Sequence, residues 1–333
     1  MLREFLVTSR DMQGNRGDVK VFHRLAKAGI VIWAVSALAG SAASAGPAIN
    51  QFEVKDLQSE PGDFEFQSQN AWSTGQPQRQ SAEVSPGERI YDDNSVIRQR
   101  QALEVQLGVT DWLRFRVGVE YEQERLDDPA VFSQADEMGS LKFDEVAIEG
   151  VVVLIKPKKE GVGLGLLFEY GAPVGEAESA AELYMGPIIE AHTGPLSAIA
   201  NLAFVKHMGG KSPDPDFVRD EKWDFAYFTQ LKYEFSRTWS LALEGYGTFD
   251  RLGNSGTPGE ARELFGDHDQ HRAGPILYYR YFPNARSLIQ SVADKDDGED
   301  DKELSISIGS GVLFGLNGNT PDATYKLSIE VDY

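Results

Sequence analysis

The sequence predicts an all-β fold, a closed antiparallel transmembrane β-barrel of about twelve strands over residues 63–333, following a cleaved signal peptide. Three observations predict it. The chain stops on a strict alternation, with Tyr325, Leu327, Ile329, Val331 and Tyr333 on one face and Lys326, Ser328, Glu330 and Asp332 on the other. Period-two alternation is the mark of a strand with one apolar face. Segments of the same kind recur along the chain, and the connections between them alternate between short and long. A membrane-spanning barrel needs strands of roughly 9–11 residues, joined by short turns at one end and longer loops at the other.

The first element is the leader. Lys20, Arg24 and Lys27 precede a 13-residue apolar run, Ala28 to Gly40, and then Ala43-Ser44-Ala45. This arrangement reads as a secretory signal peptide over residues 1–45, with Gly46 as the new N-terminus. Met12 is an alternative start that would give a leader of ordinary length. The run is too short for a spanning helix, which takes about 20 residues. With no cysteine in the chain, neither a lipid-modified Cys nor a disulfide framework is available. Residues 46–62 are expected to form a short N-terminal tail.

Twelve alternating segments follow. The first, Asp63 to Ser73, places Phe64, Phe66 and Trp72 on one parity. The second, Ile97 to Val109, shows Leu103, Val105, Leu107 and Val109 against Glu104 and Gln106. The third, Trp112 to Tyr121, sets Phe115, Val117 and Val119 against Arg114, Arg116 and Glu120. Further segments are Phe143 to Leu154, Val162 to Gly171, Glu182 to Ala191, Leu196 to Lys206, Trp223 to Phe235 and Trp239 to Asp250. His271 to Phe282, Leu304 to Leu316 and Thr324 to Tyr333 complete the set. Connections 110–111, 156–161, 192–195 and 236–238 are short. Connections 74–96, 122–142, 172–181, 207–222 and 251–270 are long, while 283–303 breaks the pattern by being long and acidic. Pro187 and Pro275 fall inside strands, where a missing donor suits a bulge, so bulges are expected at both. Trp112, Tyr233, Phe235 and Trp239 beside the short turns, with Tyr121, Tyr170 and Trp223 at the far ends, suggest two aromatic belts.

An Arg or Lys facing lipid at mid-depth costs about 2–4 kcal/mol, so the polar parity must point inward. The candidate lumen-lining residues, forming a solute or ion path, are Arg98, Arg100, Glu104, Arg114, Arg116, Glu120, Asp224, Lys232 and Glu234. The Thr110-Asp111 turn allows two registers for the strands it joins. Glu104 faces Arg116 and Arg100 faces Glu120 in one; Gln106 faces Arg116 and Arg100 faces Glu122 in the other. Both leave Arg116 within diagonal reach of Glu104. The Gly161–Gly165 stretch lacks the following helix of a nucleotide loop, and its glycines are read as relieving crowding in a small lumen.

Other chemistry finds less support. Asp267, His268, Asp269 and His271 read as a solvated polar loop rather than a metal site. The acidic run Asp294 to Asp301 lacks the ligand spacing of a calcium loop. No histidine neighbours a strand serine as a hydrolase would require, so no catalytic residue, metal or cofactor is expected. The balance of 32 Lys/Arg against 52 Asp/Glu, net −20, argues against a nucleic-acid partner.

The terminal aromatic Tyr333 resembles the C-terminal signature of bacterial outer-membrane barrels. Leu107-Gly108-Val109-Thr110-Asp111-Trp112-Leu113, His271 to Tyr281 and Leu313-Phe314-Gly315-Leu316 resemble a family of outer-membrane proteins of the MetA-pathway phenol-degradation transporter type. The resemblance implies an outer-membrane location with periplasmic termini, contacts with outer-membrane lipids and the barrel-assembly machinery, and passage of small solutes, including apolar or aromatic compounds. It carries over no functional residue. The expected function is a channel or uptake pore; the alternative is a non-conducting structural or surface-interaction barrel. Replacing Tyr333 by Asp is expected to block membrane assembly while leaving refolding in detergent intact. Heat-modifiable mobility of the membrane-extracted variant checks this, and normal insertion would refute it.

Overall fold

A computed structural model describes residues 52–77, 81–85, 88–91, 95–126, 141–174, 181–208, 222–250, 252, 269–283 and 304–333. The expected signal peptide, His268 and the 294–303 acidic segment lie outside these residues. The strands are β1 (Phe64–Pro77), β2 (Ser81–Ser85), β3 (Glu88–Tyr91), β4 (Ser95–Thr110), β5 (Leu113–Leu126), β6 (Lys142–Ile155) and β7 (Gly161–Pro173). They continue with β8 (Ala181–Thr193), β9 (Leu196–Met208), β10 (Trp223–Glu234), β11 (Trp239–Phe249), β12 (Gln270–Tyr281), β13 (Ser305–Gly315) and β14 (Ala323–Asp332).

Twelve of these strands close into one antiparallel barrel, each beside its neighbour in sequence, with β14 returning to β1. Every one overlaps a segment expected from alternation. The added element is the β2–β3 hairpin, which stands apart from the barrel within the 74–96 connection. Closure is made by ten Cα pairs from Glu65↔Asp332 to Thr74↔Ala323. It extends to the last residue, because Phe64 N–H donates to Tyr333 O at 3.1 Å and Tyr333 N–H to Phe64 O at 2.8 Å. Closure removes the sheet edges that hydrocarbon could not satisfy.

The two faces sort as the alternation requires, but inside out relative to a water-soluble fold. Val117, Ile148, Phe168, Leu231, Leu243 and Phe314 are exposed, whereas Arg100, Glu104, Arg116, Glu120, Glu149 and Glu244 are buried. A contiguous apolar exterior around a polar interior is the surface of a membrane barrel. At the short-turn end Trp112, Tyr233, Phe235, Trp239 and Tyr281 are exposed, as an interfacial girdle would be.

The prolines behave differently from expectation. Neither Pro187 nor Pro275 sits at a bulge. The β8–β9 ladder passes from Met185↔Phe204 to Ile188↔Asn201, and the β12–β13 ladder from Ala273↔Phe314 to Ile276↔Gly311, both in unchanged register. Each proline follows a glycine. A Cβ at Gly186 would lie 1.8 Å from Leu202 O, and one at Gly274 1.9 Å from Val312 O. The bare glycine lets the neighbouring backbone close in, so the ladder skips two residues without an inserted one. Register shifts fall elsewhere, as at Ser73/Gln76, Gly108/Thr110, Glu120/Tyr121 and Val153/Ile155.

Between β4 and β5 the chain adopts the second of the two registers, with Gln106↔Arg116 and Arg100↔Glu122 as partners. Arg100 contacts Glu122 at 2.7 Å, Arg98 reaches the same carboxylate at 3.1 Å, and Arg116 meets Glu104 diagonally at 3.2 Å. Breaking a buried pair strands its partner charge and costs roughly 3–5 kcal/mol. Arg100→Glu is therefore expected to destabilise the barrel by about 3 kcal/mol in urea unfolding. Adding Glu122→Arg should recover at least half, beyond the sum of the single effects.

Candidate functional site

The site is the lumen, and its most informative occupant is the chain itself. Residues 52–62, expected as a tail, descend inside the barrel from the half bearing the long connections to the short-turn rim. At the upper end Phe52 is buried in an apolar collar with Tyr184, Phe228, Tyr246, Ile276 and Leu313. Its ring lies edge-on to Tyr246 at 5.8 Å and beneath the Arg272 guanidinium at 4.8 Å. Lower down, Leu57 is fully buried with Val151, Leu167, Ile188 and Ile199. A Cβ at Gly165 would come within 2.3 Å of the Leu57 side chain. That glycine does relieve crowding, and the crowding comes from this segment.

The segment forms no ladder with any strand; side chains of the wall satisfy its backbone. Asn201 acts as a two-point clamp, accepting from Lys55 N–H at 2.7 Å and donating to Lys55 O at 2.8 Å. Glu190 accepts from Leu57 N–H at 2.7 Å, and Tyr246 Oη lies 3.1 Å from Phe52 O. Arg114 donates to Asp56 Oδ1 at 2.6 Å, Asp56 O at 2.7 Å and Gln58 O at 2.9 Å. At the rim Ser59 O–H donates to Thr110 O and Gly62 N–H to Gly108 O. Buried backbone groups must be paired, and here the pairing requires wall residues of the right shape at each step.

Charge pairing continues between segment and wall. The Lys55 ammonium sits 2.7 Å from Glu149 and 3.9 Å from Glu104, and also contacts Glu53. Arg116 contacts Glu53 as well, and donates to Gln106 at 2.8 Å and to Gln67 at 3.2 Å. On the opposite wall Lys326 binds Glu244 at 2.7 Å, and Tyr246 O–H donates to the same carboxylate at 2.5 Å.

Beside the segment a cavity of about 870 Å³ occupies the short-turn half. Its lining includes Arg114, Arg116, Gln230, Lys232, Glu234, Tyr278, Arg280, Lys326 and Glu330. The nine candidate lumen residues thus divide. Glu104, Arg114 and Arg116 hold the internal segment or its partners, and Lys232 and Glu234, 3.8 Å apart, lie on the cavity wall. Arg98, Arg100 and Glu120 lie in the other half, and Asp224 there contacts His207 at 2.8 Å and Lys222 at 3.4 Å. Sequence reading missed Phe52, Lys55, Leu57, Asn201 and Glu190. The alternation of Phe52, Val54, Asp56 with Glu53, Lys55 and Leu57 is mixed in polarity and marks no face.

Compared with known proteins, no family model matches the chain, and no curated protein matches it. Among solved structures it is similar to the COG4313 outer membrane channel from Pseudomonas putida F1, at TM-score 0.53 and 13% identity, covering 84% of this chain and 98% of that one. Looser likenesses include a Pseudomonas aeruginosa FadL homologue, at TM-score 0.35, 10% identity and coverages of 82% and 90%. The CymD monoaromatic hydrocarbon channel follows at 0.34, 8%, 83% and 88%. The first establishes a common fold; the scores of the other two carry no argument.

Asn201→Leu removes both bonds to Lys55. Leaving buried backbone groups unpaired costs roughly 1–3 kcal/mol, so amide hydrogens of residues 55–57 are expected to exchange about tenfold faster. The barrel strands should keep their protection, as read by hydrogen-exchange mass spectrometry.

Proposed function

We propose that the chain is a bacterial outer-membrane channel for small solutes, exported by a signal peptide cleaved after Ala45 and held closed at rest by its own N-terminal segment. One observation carries the reading: the element that fills the lumen is not part of the wall. It is bound by side chains beside a polar cavity of about 870 Å³, so its departure would lengthen that cavity into a path without breaking a strand pair. Twelve strands enclose less than the sixteen of open porins, and a single extended segment suffices to stop the bore.

Solute class follows from the lining. Charged and amide groups dominate the cavity, while Phe52, Tyr184 and Tyr246 supply rings deeper in. Small aromatic compounds that carry a polar group fit both, which accords with the phenol-degradation transporter resemblance. Tyr333, at the closing seam, is the residue offered to the barrel-assembly machinery, and the apolar belt faces outer-membrane lipid. The rival reading, a non-conducting barrel, is favoured by how completely Lys55 and Leu57 are buried.

Planar-bilayer recording separates the two. The full mature chain should show rare, small steps, and a variant lacking residues 46–58 should show frequent steps of several-fold larger conductance. Silence from both folded proteins would establish the non-conducting barrel.

A further inference from the structure

Across β6 and β7, Glu149 pairs directly with Glu169, and both are buried on the lumen side. Glu104, also buried, reaches toward them from β4. Like charges set directly opposite in a sheet destabilise it, so a cation beside Glu149 stabilises this part of the wall. Arg116 answers only partly: its Nη atoms serve Glu104 at 3.2 Å, Gln106, Gln67 and Glu53, while its Nε stands 4.0 Å from Glu149 and donates to nothing. Glu149 is 4% exposed, and neither of its oxygens accepts a directed hydrogen bond. The missing cation is the Lys55 ammonium, carried by a segment foreign to the wall.

We propose that Glu104 and Glu149, with Glu53 of the internal segment beside them, form a primary-ammonium site inside the lumen, which Lys55 occupies as a built-in ligand and which an alkylammonium ion from solution fills once that side chain is gone. The recognising chemistry is plain. An ammonium offers three donors and one compact charge to carboxylates spread around it. The stem is apolar, and Val151 and Val153 lie close by on the same strand as Glu149. A guanidinium is already present and does not replace it, and a quaternary ammonium has no N–H to offer. The site deepens the channel reading by naming cationic amines as one class of solute, yet its existence does not require conduction.

Chemical rescue tests it. Lys55→Ala removes the equivalent of n-propylammonium from the cage. In detergent-folded full-length barrel the variant's thermal unfolding midpoint should fall, and n-propylammonium should restore at least half the loss with saturable dependence. Tetramethylammonium should restore none, and wild type should respond to neither. Adding Glu149→Gln to Lys55→Ala should abolish the rescue, whereas Glu330→Gln, at the rim, should leave it intact. Equal responses from wild type and variant, rescue by tetramethylammonium, or rescue surviving Glu149→Gln would overturn the site. If Lys55→Ala does not fold unaided, the yield of heat-modifiable barrel refolded with each amine is read instead, and failure with n-propylammonium refutes the proposal. A silent bilayer with positive rescue would remove the channel and leave the site.

Discussion

Everything in this barrel follows from giving one face of every strand to hydrocarbon. A charge cannot remain on that face, so each strand delivers its Arg, Lys, Asp and Glu side chains to a lumen only twelve strands around. There they lose most of their water, and a buried ion without a partner costs several kcal/mol. The wall solves this locally where it can, as Arg100 does with Glu122 and Lys326 with Glu244. Where acids face acids, at Glu149 and Glu169, a separate segment brings Lys55 to Glu149. The internal segment is therefore both the obstruction and part of the electrostatic solution.

That double role bears on how firmly the lumen is closed. Burying Leu57 contributes roughly 2 kcal/mol, and each clamp bond about 1 kcal/mol net. The ion pairs add stability only while all members are in place, because withdrawing Lys55 exposes Glu104 and Glu149 to one another. In the proposed channel, opening would be cooperative: the segment would leave with its hydrogen bonds and charges together, and the acids it abandons would have to find water or another cation. On that proposal, a solute cation arriving at that moment would lower the cost of opening and link occupancy of the cage to the state of the path.

Alternation along the chain disclosed the strands, their inward parity and the charge ladder of β4 and β5, because lipid imposes period two on every strand. It left the choice between two registers open, since Arg100 meets an acid at 120 or at 122 and Arg116 reaches Glu104 in both, directly in one and diagonally in the other. The structure takes the register in which Arg98 and Arg100 share Glu122. Pro187 and Pro275 misled because bulge rules treat proline alone. The preceding Gly186 and Gly274 change the outcome by admitting the adjacent backbone. Phe52 to Gly62 was illegible as a plug for a deeper reason. Down to Gln58 it pairs with side chains rather than with a strand, so its own residues bear no periodic imprint of where they lie. The matching signals, Asn201 on β9 and Glu190 on β8, sit more than a hundred residues away.

The position of the clamp residues decides how the segment is recognised. Asn201 and Glu190 contact backbone atoms of Lys55 and Leu57, so they specify an extended chain at a fixed depth without reading its side chains. Sequence is read elsewhere: at the collar around Phe52, the niche over Gly165 that admits Leu57, the carboxylates around Lys55, and the guanidinium groups of Arg114 and Arg116 that meet Asp56 and Glu53. The aromatic and apolar pockets exclude water and hold a shape, while the cage requires a positive charge from the segment. A change at Phe52 or Leu57 therefore loosens the fit, but a change at Lys55 alters the charge the wall itself must carry. Of all the contacts in the lumen, that one ties the stability of the wall to the identity of what occupies it.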